Sequence, residues 1–98
     1  MAGKEGTVFV VDGEEYLFDF EAFNESFRTL RRKILYYSVT EVEKLIAENA
    51  NVSQSAVHSW RFRQNGPSDI GIVYSIAEVL RVPFQFLLKG VKRDGKTD

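Results

Sequence analysis

Only three residues, Asn51-Val52-Ser53, separate two short stretches whose apolar side chains recur at helical spacing. Val42, Leu45, Ile46 and Ala50 precede the joint, and Ala56, Val57 and Trp60 follow it. So tight a joint forces two helices to cross steeply and share one apolar seam. The pattern predicts a helix-turn-helix unit, with a second helix over about 41–50 capped by Thr40 and a third over about 54–63 capped by Ser53. Asn51 stands in the turn, and asparagine is next to glycine in tolerating a left-handed backbone. Val52 and Val57 bury the joint.

On either side of this unit the hydrophobic period defines the remaining elements. Residues 7–20 form two β-branched and aromatic runs around Asp12-Gly13, a dipeptide suited to the positive φ angles of a type I′ turn, so a β-hairpin is expected there. Two strands alone are marginal in water, and Phe9, Tyr16, Leu17 and Phe18 therefore need cover from the helices or from a second copy of the chain. Near Phe20 the period changes from two to 3.6. Phe23, Phe27, Leu30, Ile34 and Tyr37 share one stripe of a first helix over about 21–38. Its outer face carries Arg28, Arg31, Arg32 and Lys33, either an ordinary wet surface or a phosphate-facing patch. Asn65-Gly66-Pro67-Ser68 breaks the chain, Ser68 or Asp69 opens a fourth helix with Ile70, Val73, Ile76, Ala77 and Leu80 inward, and Pro83 ends it. A short apolar fifth helix over 84–88 is either core or a subunit contact, and 89–98 reads as a frayed tail.

The fold class is thus mostly α: five helices preceded by an N-terminal β-hairpin. The organisation is a 1–20 hairpin appendage, a 21–88 helical domain and an 89–98 flexible tail. Ninety-eight residues suit one domain, and 44 % hydrophobic with 28 % charged residues excludes global disorder. The absence of cysteine removes disulfides, zinc–thiolate sites and thiol nucleophiles, while a lone histidine, His58, leaves no pair for a two-imidazole metal site. Glu14-Glu15 and Asp19-Glu21 supply carboxylates without a base–nucleophile pair and read as hairpin solvation, so neither an enzyme nor a cofactor is expected. The start Met-Ala-Gly-Lys-Glu-Gly lacks the apolar stretch of a signal peptide and no run is long enough to span a bilayer, which predicts a cytoplasmic protein with no membrane partner.

A formal net charge of −1 conceals a strong segregation. Residues 1–25 hold one base against seven acids. Residues 26–98 hold twelve bases against seven acids, with no acid from Asn49 to Ser68. Two solvated faces of one domain account for such a division as readily as a polyanion-facing surface, so the local motifs decide between them.

The residues Ile46-Ala47, Asn51-Val52-Ser53-Gln54-Ser55-Ala56-Val57, Trp60, Pro67-Ser68 and Ile76-Ala77-Glu78-Val79-Leu80-Arg81-Val82-Pro83 resemble the lambda-repressor-like, Cro/cI-type (XRE) helix-turn-helix regulators over about residues 24–88. Gln54-Ser55-Ala56-Val57 is similar to the start of the recognition helix in the phage lambda repressor. The chain departs from the family where Arg61-Phe62-Arg63 replaces a Glu, basic residue and Gly after the tryptophan. Arg81 stands for a common glycine, and Glu43 stands for a glutamine near the start of the second helix. The acidic hairpin has no counterpart in the family pattern.

The resemblance implies sequence-specific binding of double-stranded DNA by a transcriptional regulator acting as a homodimer on a palindromic operator. A recognition helix enters the major groove with its N-terminal part against base edges, which calls for short polar side chains there. Gln54, Ser55, His58 and Ser59 are the expected base readers: glutamine pairs in two-pronged fashion with adenine, serine bonds either base type and histidine donates to purine acceptors. Each taken alone is equally an exposed helix residue. Arg61, Arg63, Gln64 and Asn65 follow where the loop meets the sugar–phosphate backbone, or else form solvated loop charge. Trp60 belongs to the core rather than to a stacking platform. The dimer contact falls either on the open hairpin edge or on the 84–88 segment. A different reading is a protein-interaction module in which the acidic hairpin binds a partner or masks the basic face.

Overall fold

The computed structural model describes residues 7–33 and 37–91. Within them the protein is mostly helical with an N-terminal β-hairpin. Strands β1 (Phe9–Val11) and β2 (Glu14–Phe18) lead into helices α1 (Phe20–Lys33), α2 (Val39–Ala50), α3 (Gln54–Arg61) and α4 (Ile70–Leu80). A 3₁₀ turn (Phe84–Leu87) and strand β3 (Leu88–Gly90) complete the order. No helix of the described residues is long and apolar enough to cross a membrane.

The hairpin turns at Asp12 (φ 53°) and Gly13 (φ 81°), the two positive φ angles that a two-residue type I′ connection requires. Its register pairs Phe9 with Tyr16 and Val11 with Glu14. Phe9 and Phe18 point inward and are buried, while Val10 on the opposite face is 66 % exposed. Phe18 meets Phe20 edge-on at 5.2 Å and Phe23 at 5.4 Å between ring centres. These aromatic contacts seat the hairpin on α1, so the strands belong to the helical core rather than to an appendage.

Two expectations at the C-terminal end are corrected. Among the described residues four α-helices form, not five, because residues 84–87 make only a 3₁₀ turn before Leu88 pairs with Phe18. Lys89 and Gly90, expected in a tail, pair with Leu17 and Tyr16, giving a sheet ordered β1-β2-β3. The Asp19 N–H bond to the Leu87 carbonyl (2.8 Å) and the Val91 N–H bond to the Glu15 carbonyl (3.2 Å) extend this closure. The remaining tail residues, 92–98, lie outside the described residues.

The first helix also stops short of expectation. Asp19 caps it through its side chain, α1 ends at Lys33, and Tyr37 and Ser38 are not helical. Ile34, expected on its inner stripe, lies outside the described residues. Ser38, not Thr40, caps α2: its hydroxyl accepts from the Glu41 N–H while the Glu41 carboxylate accepts from the Ser38 N–H. Ser38-x-x-Glu41 and Thr40-x-x-Glu43 both spell a capping box. Use of the first leaves Glu43 free to turn inward.

The core is built from Phe23, Phe27 and Leu30 of α1, Val42, Ile46 and Ala47 of α2, Val57 and Trp60 of α3, and Val73, Ile76, Ala77 and Leu80 of α4, with Leu87 beneath the 3₁₀ turn. Full burial of such side chains contributes roughly 1.5–3 kcal/mol each before entropy is counted. Tyr37, Val52 and Ala56 pack at its margin. Asn51 adopts the left-handed conformation (φ 58°, ψ 47°), and the Val52 N–H reaches the Ala47 carbonyl at 3.0 Å, so the joint between α2 and α3 closes as a Schellman turn.

Candidate functional site

Helix α3 is short because it is capped and stopped from both sides. The Ser53 hydroxyl accepts from the Ala56 N–H at its start. At its end the Gln64 N–H bonds the Ser59 carbonyl (3.0 Å) and the Arg63 N–H bonds that of Trp60 (3.1 Å). Arg63 itself sits at φ 60°, the conformation glycine adopts without steric cost. Two of the three helix ends with a left-handed residue therefore carry arginine, at Arg63 and at Arg81 (φ 63°). Both arginines take up that left-handed conformation themselves.

The four expected base readers divide into two stripes. Ser55 and Ser59, four residues apart, lie on one; Ser55 is exposed and Ser59 half-buried. Gln54, His58 and Arg61 lie on the other, which faces α2. There the Glu43 carboxylate, only 4 % exposed, collects all three. Oε1 accepts from Gln54 Nε2 at 3.0 Å, and Oε2 contacts His58 Nδ1 at 3.1 Å and accepts from Arg61 Nη1 at 3.0 Å. Burial pushes the Glu43 pKa up, but the hydrogen bonds from Gln54, His58 and Arg61 and the charge of a protonated His58 outweigh it, holding the group below its ordinary value.

This carboxylate fixes what the inner stripe can offer. A glutamine amide has two N–H donors and a carbonyl, so Gln54 retains one N–H and its oxygen after binding Glu43. His58, whose side chain is 58 % exposed, directs Nδ1 at the carboxylate and leaves Nε2 outward. With the Nδ1 proton held by Glu43, neutral imidazole presents an acceptor at Nε2, and only the protonated ring presents a donor. Arg61 is placed differently from the phosphate-facing role expected of it. Its side chain is 21 % exposed, its guanidinium is tied to Glu43, and its Cζ lies 4.8 Å from the centre of Phe27 and 5.3 Å from that of Phe62. Asn24 Nδ2 further holds the Arg61 carbonyl at 3.1 Å, joining α1 to the end of α3.

Arg63, Gln64 and Asn65 are exposed in the loop after α3. Arg63 pairs loosely with Glu21 at 3.7 Å, both side chains open to water. Trp60 is 3 % exposed and belongs to the core, as its spacing from Val57 indicates. Two participants went unassigned in the sequence reading. Glu43 joins α2 to α3 through its three partners, and its one sequence signal is a carboxylate just past the first turn of α2, ahead of an acid-free stretch. Phe62 is 57 % exposed and stands between two arginines, 4.9 Å from the His58 ring. Among the described residues no group of His, Asp and Glu side chains could hold a metal ion.

No family model, no curated protein and no solved structure matches this chain.

Proposed function

We propose that this protein binds double-stranded DNA sequence-specifically through a lambda-repressor-like helix-turn-helix formed by α2 and α3, as a homodimeric transcriptional regulator. The single observation that carries the reading is the set of polar groups that α3 and its exit loop leave open to solvent. Ser55 is exposed at the helix start, His58 presents Nε2 beside it, and Arg63 follows at a left-handed position that costs backbone energy. In this reading Ser55, Ser59, His58 and the free edge of Gln54 address bases in the major groove, while Arg63, Gln64 and Asn65 meet phosphates. Arg61 orients the helix from within, through Glu43. No catalytic step and no cofactor form part of this function.

Selection of preferred sites from a random duplex pool by the full chain tests it. The expected winner is a palindrome with half-sites about one helical turn apart, bound with an affinity that falls steeply with salt. Binding that ignores sequence refutes base reading. Salt-independent retention, or none, refutes DNA binding altogether and favours a protein partner at the acidic hairpin.

A further inference from the structure

A cavity of about 260 Å³ opens between α1, from Glu25 to Lys33, and the segment that leaves α4. Leu30, Val82 and Phe86 give it an apolar lining, and Lys33 and Arg81 bring two cations to it. Roughly 150 Å³ suffices for benzene in other proteins, whereas drug-sized pockets begin near about 300 Å³. The space therefore suits a small molecule.

Two independent features mark it as more than a packing gap. Ser26, also in the lining, is 5 % exposed and its Oγ has no hydrogen-bond partner. A buried hydroxyl left unpaired is a cost that folding normally avoids. Arg81 adopts φ 63°, where glycine is unstrained, and nonetheless carries a long cationic side chain to the cavity. Glu25 also lines the space, but the ion pairs of the described residues engage neither Lys33 nor Arg81. Two cations against one carboxylate leave a net positive opening over an apolar interior.

We propose that this cavity binds a small carboxylic acid with an apolar body, its carboxylate held by Lys33 and Arg81 and its tail among Leu30, Val82 and Phe86. Ser26 stands in the cavity wall as a buried, unpaired hydroxyl. Such a site is independent of whether α3 binds DNA, since none of the α3 residues discussed above lines it.

The test uses the full chain, followed by backbone amide resonances during titration with hexanoate, hexylammonium and hexanol. Saturable shifts are expected at Ser26, Leu30 and Val82, with hexanoate binding about tenfold tighter than hexylammonium because the charge at the opening is positive. In the surface double variant Lys33→Met, Arg81→Met the two probes should bind within about twofold of each other, with the amide spectrum elsewhere unchanged. Equal binding of acid and amine to the native chain overturns the proposal. So do non-saturating shifts scattered over the molecule. Concentration-dependent self-association that moves the same amides without any acid also overturns it, by assigning the cavity to a second copy.

Discussion

Replacing Glu43 tests the internal logic of α3 most sharply, because one carboxylate holds three side chains of that helix. Hydrogen bonds to charged groups contribute roughly 1.5–3 kcal/mol each. Gln54 and His58 are open enough to rehydrate once the carboxylate is gone, so most of the loss falls on Arg61, at 21 % exposure. For Glu43→Ala we expect about 2–3 kcal/mol, below the roughly 3–5 kcal/mol seen when a fully buried pair loses one partner. In a domain of this size that lowers Tm by roughly 10–20 °C. Glu43→Gln keeps the volume but turns an amide N–H₂ toward three donors, and about 1–2 kcal/mol is expected. Because the folded pKa lies below the ordinary value of 4.5, the carboxylate's contribution is complete above that value and is lost as pH falls through the lower, folded one. Urea unfolding followed by the buried Trp60 should therefore show a wild-type-to-variant gap at neutral pH that narrows in acid. A loss below about 0.5 kcal/mol, or a gap indifferent to pH, refutes the role assigned to Glu43.

Other substitutions separate reading from anchoring. Gln54→Ala should cost about 1–3 kcal/mol on the best DNA site and relax preference at one base pair; a uniform loss on every duplex removes Gln54 from the base readers. Arg63→Gly should raise stability by about 0.5–1 kcal/mol, since glycine relieves the left-handed strain, yet weaken all DNA binding equally and reduce the salt slope by about one unit. An unchanged slope takes Arg63 off the phosphate list. Val10→Lys, at a site 66 % exposed, should leave the urea midpoint unmoved while abolishing dimerisation through the β1 edge, and a dimer that persists in sedimentation places the contact at the Phe84–Leu87 turn instead.

What could be read directly from the sequence is what short-range physics determines. The Asp12-Gly13 turn, the Ser53 cap, the Asn51 joint and the inward faces of all four helices follow from periodicity and turn chemistry within a few residues. The shortfalls arise where distant parts of the chain compete. Leu88 to Gly90 pair with β2 because the turn before them aims them there, which no local pattern in Lys89-Gly90 announces. Thr40 lost its cap to Ser38 because two overlapping boxes were spelled and only one lets Glu43 face the core. Arg61 shares its charge with Arg63, but three residues of helix bring it round to α2, whereas Arg63 lies beyond the last turn. Truncation at residue 20, an obvious way to test the hairpin, would remove Phe9 and Phe18 from the core and so report on folding as well as association.

The register that sets Phe18 beside Leu88 bears on how the chain is made. During translation β1 and β2 emerge first, and the strand that pairs with β2 follows some seventy residues later (88 less 18). A growing polypeptide must meanwhile carry a hairpin with one side unzipped. Loop closure becomes only slowly harder with length, and helices that have already docked shorten the gap further. Strand β3 thus acts as a latch, engaging after the helices have assembled.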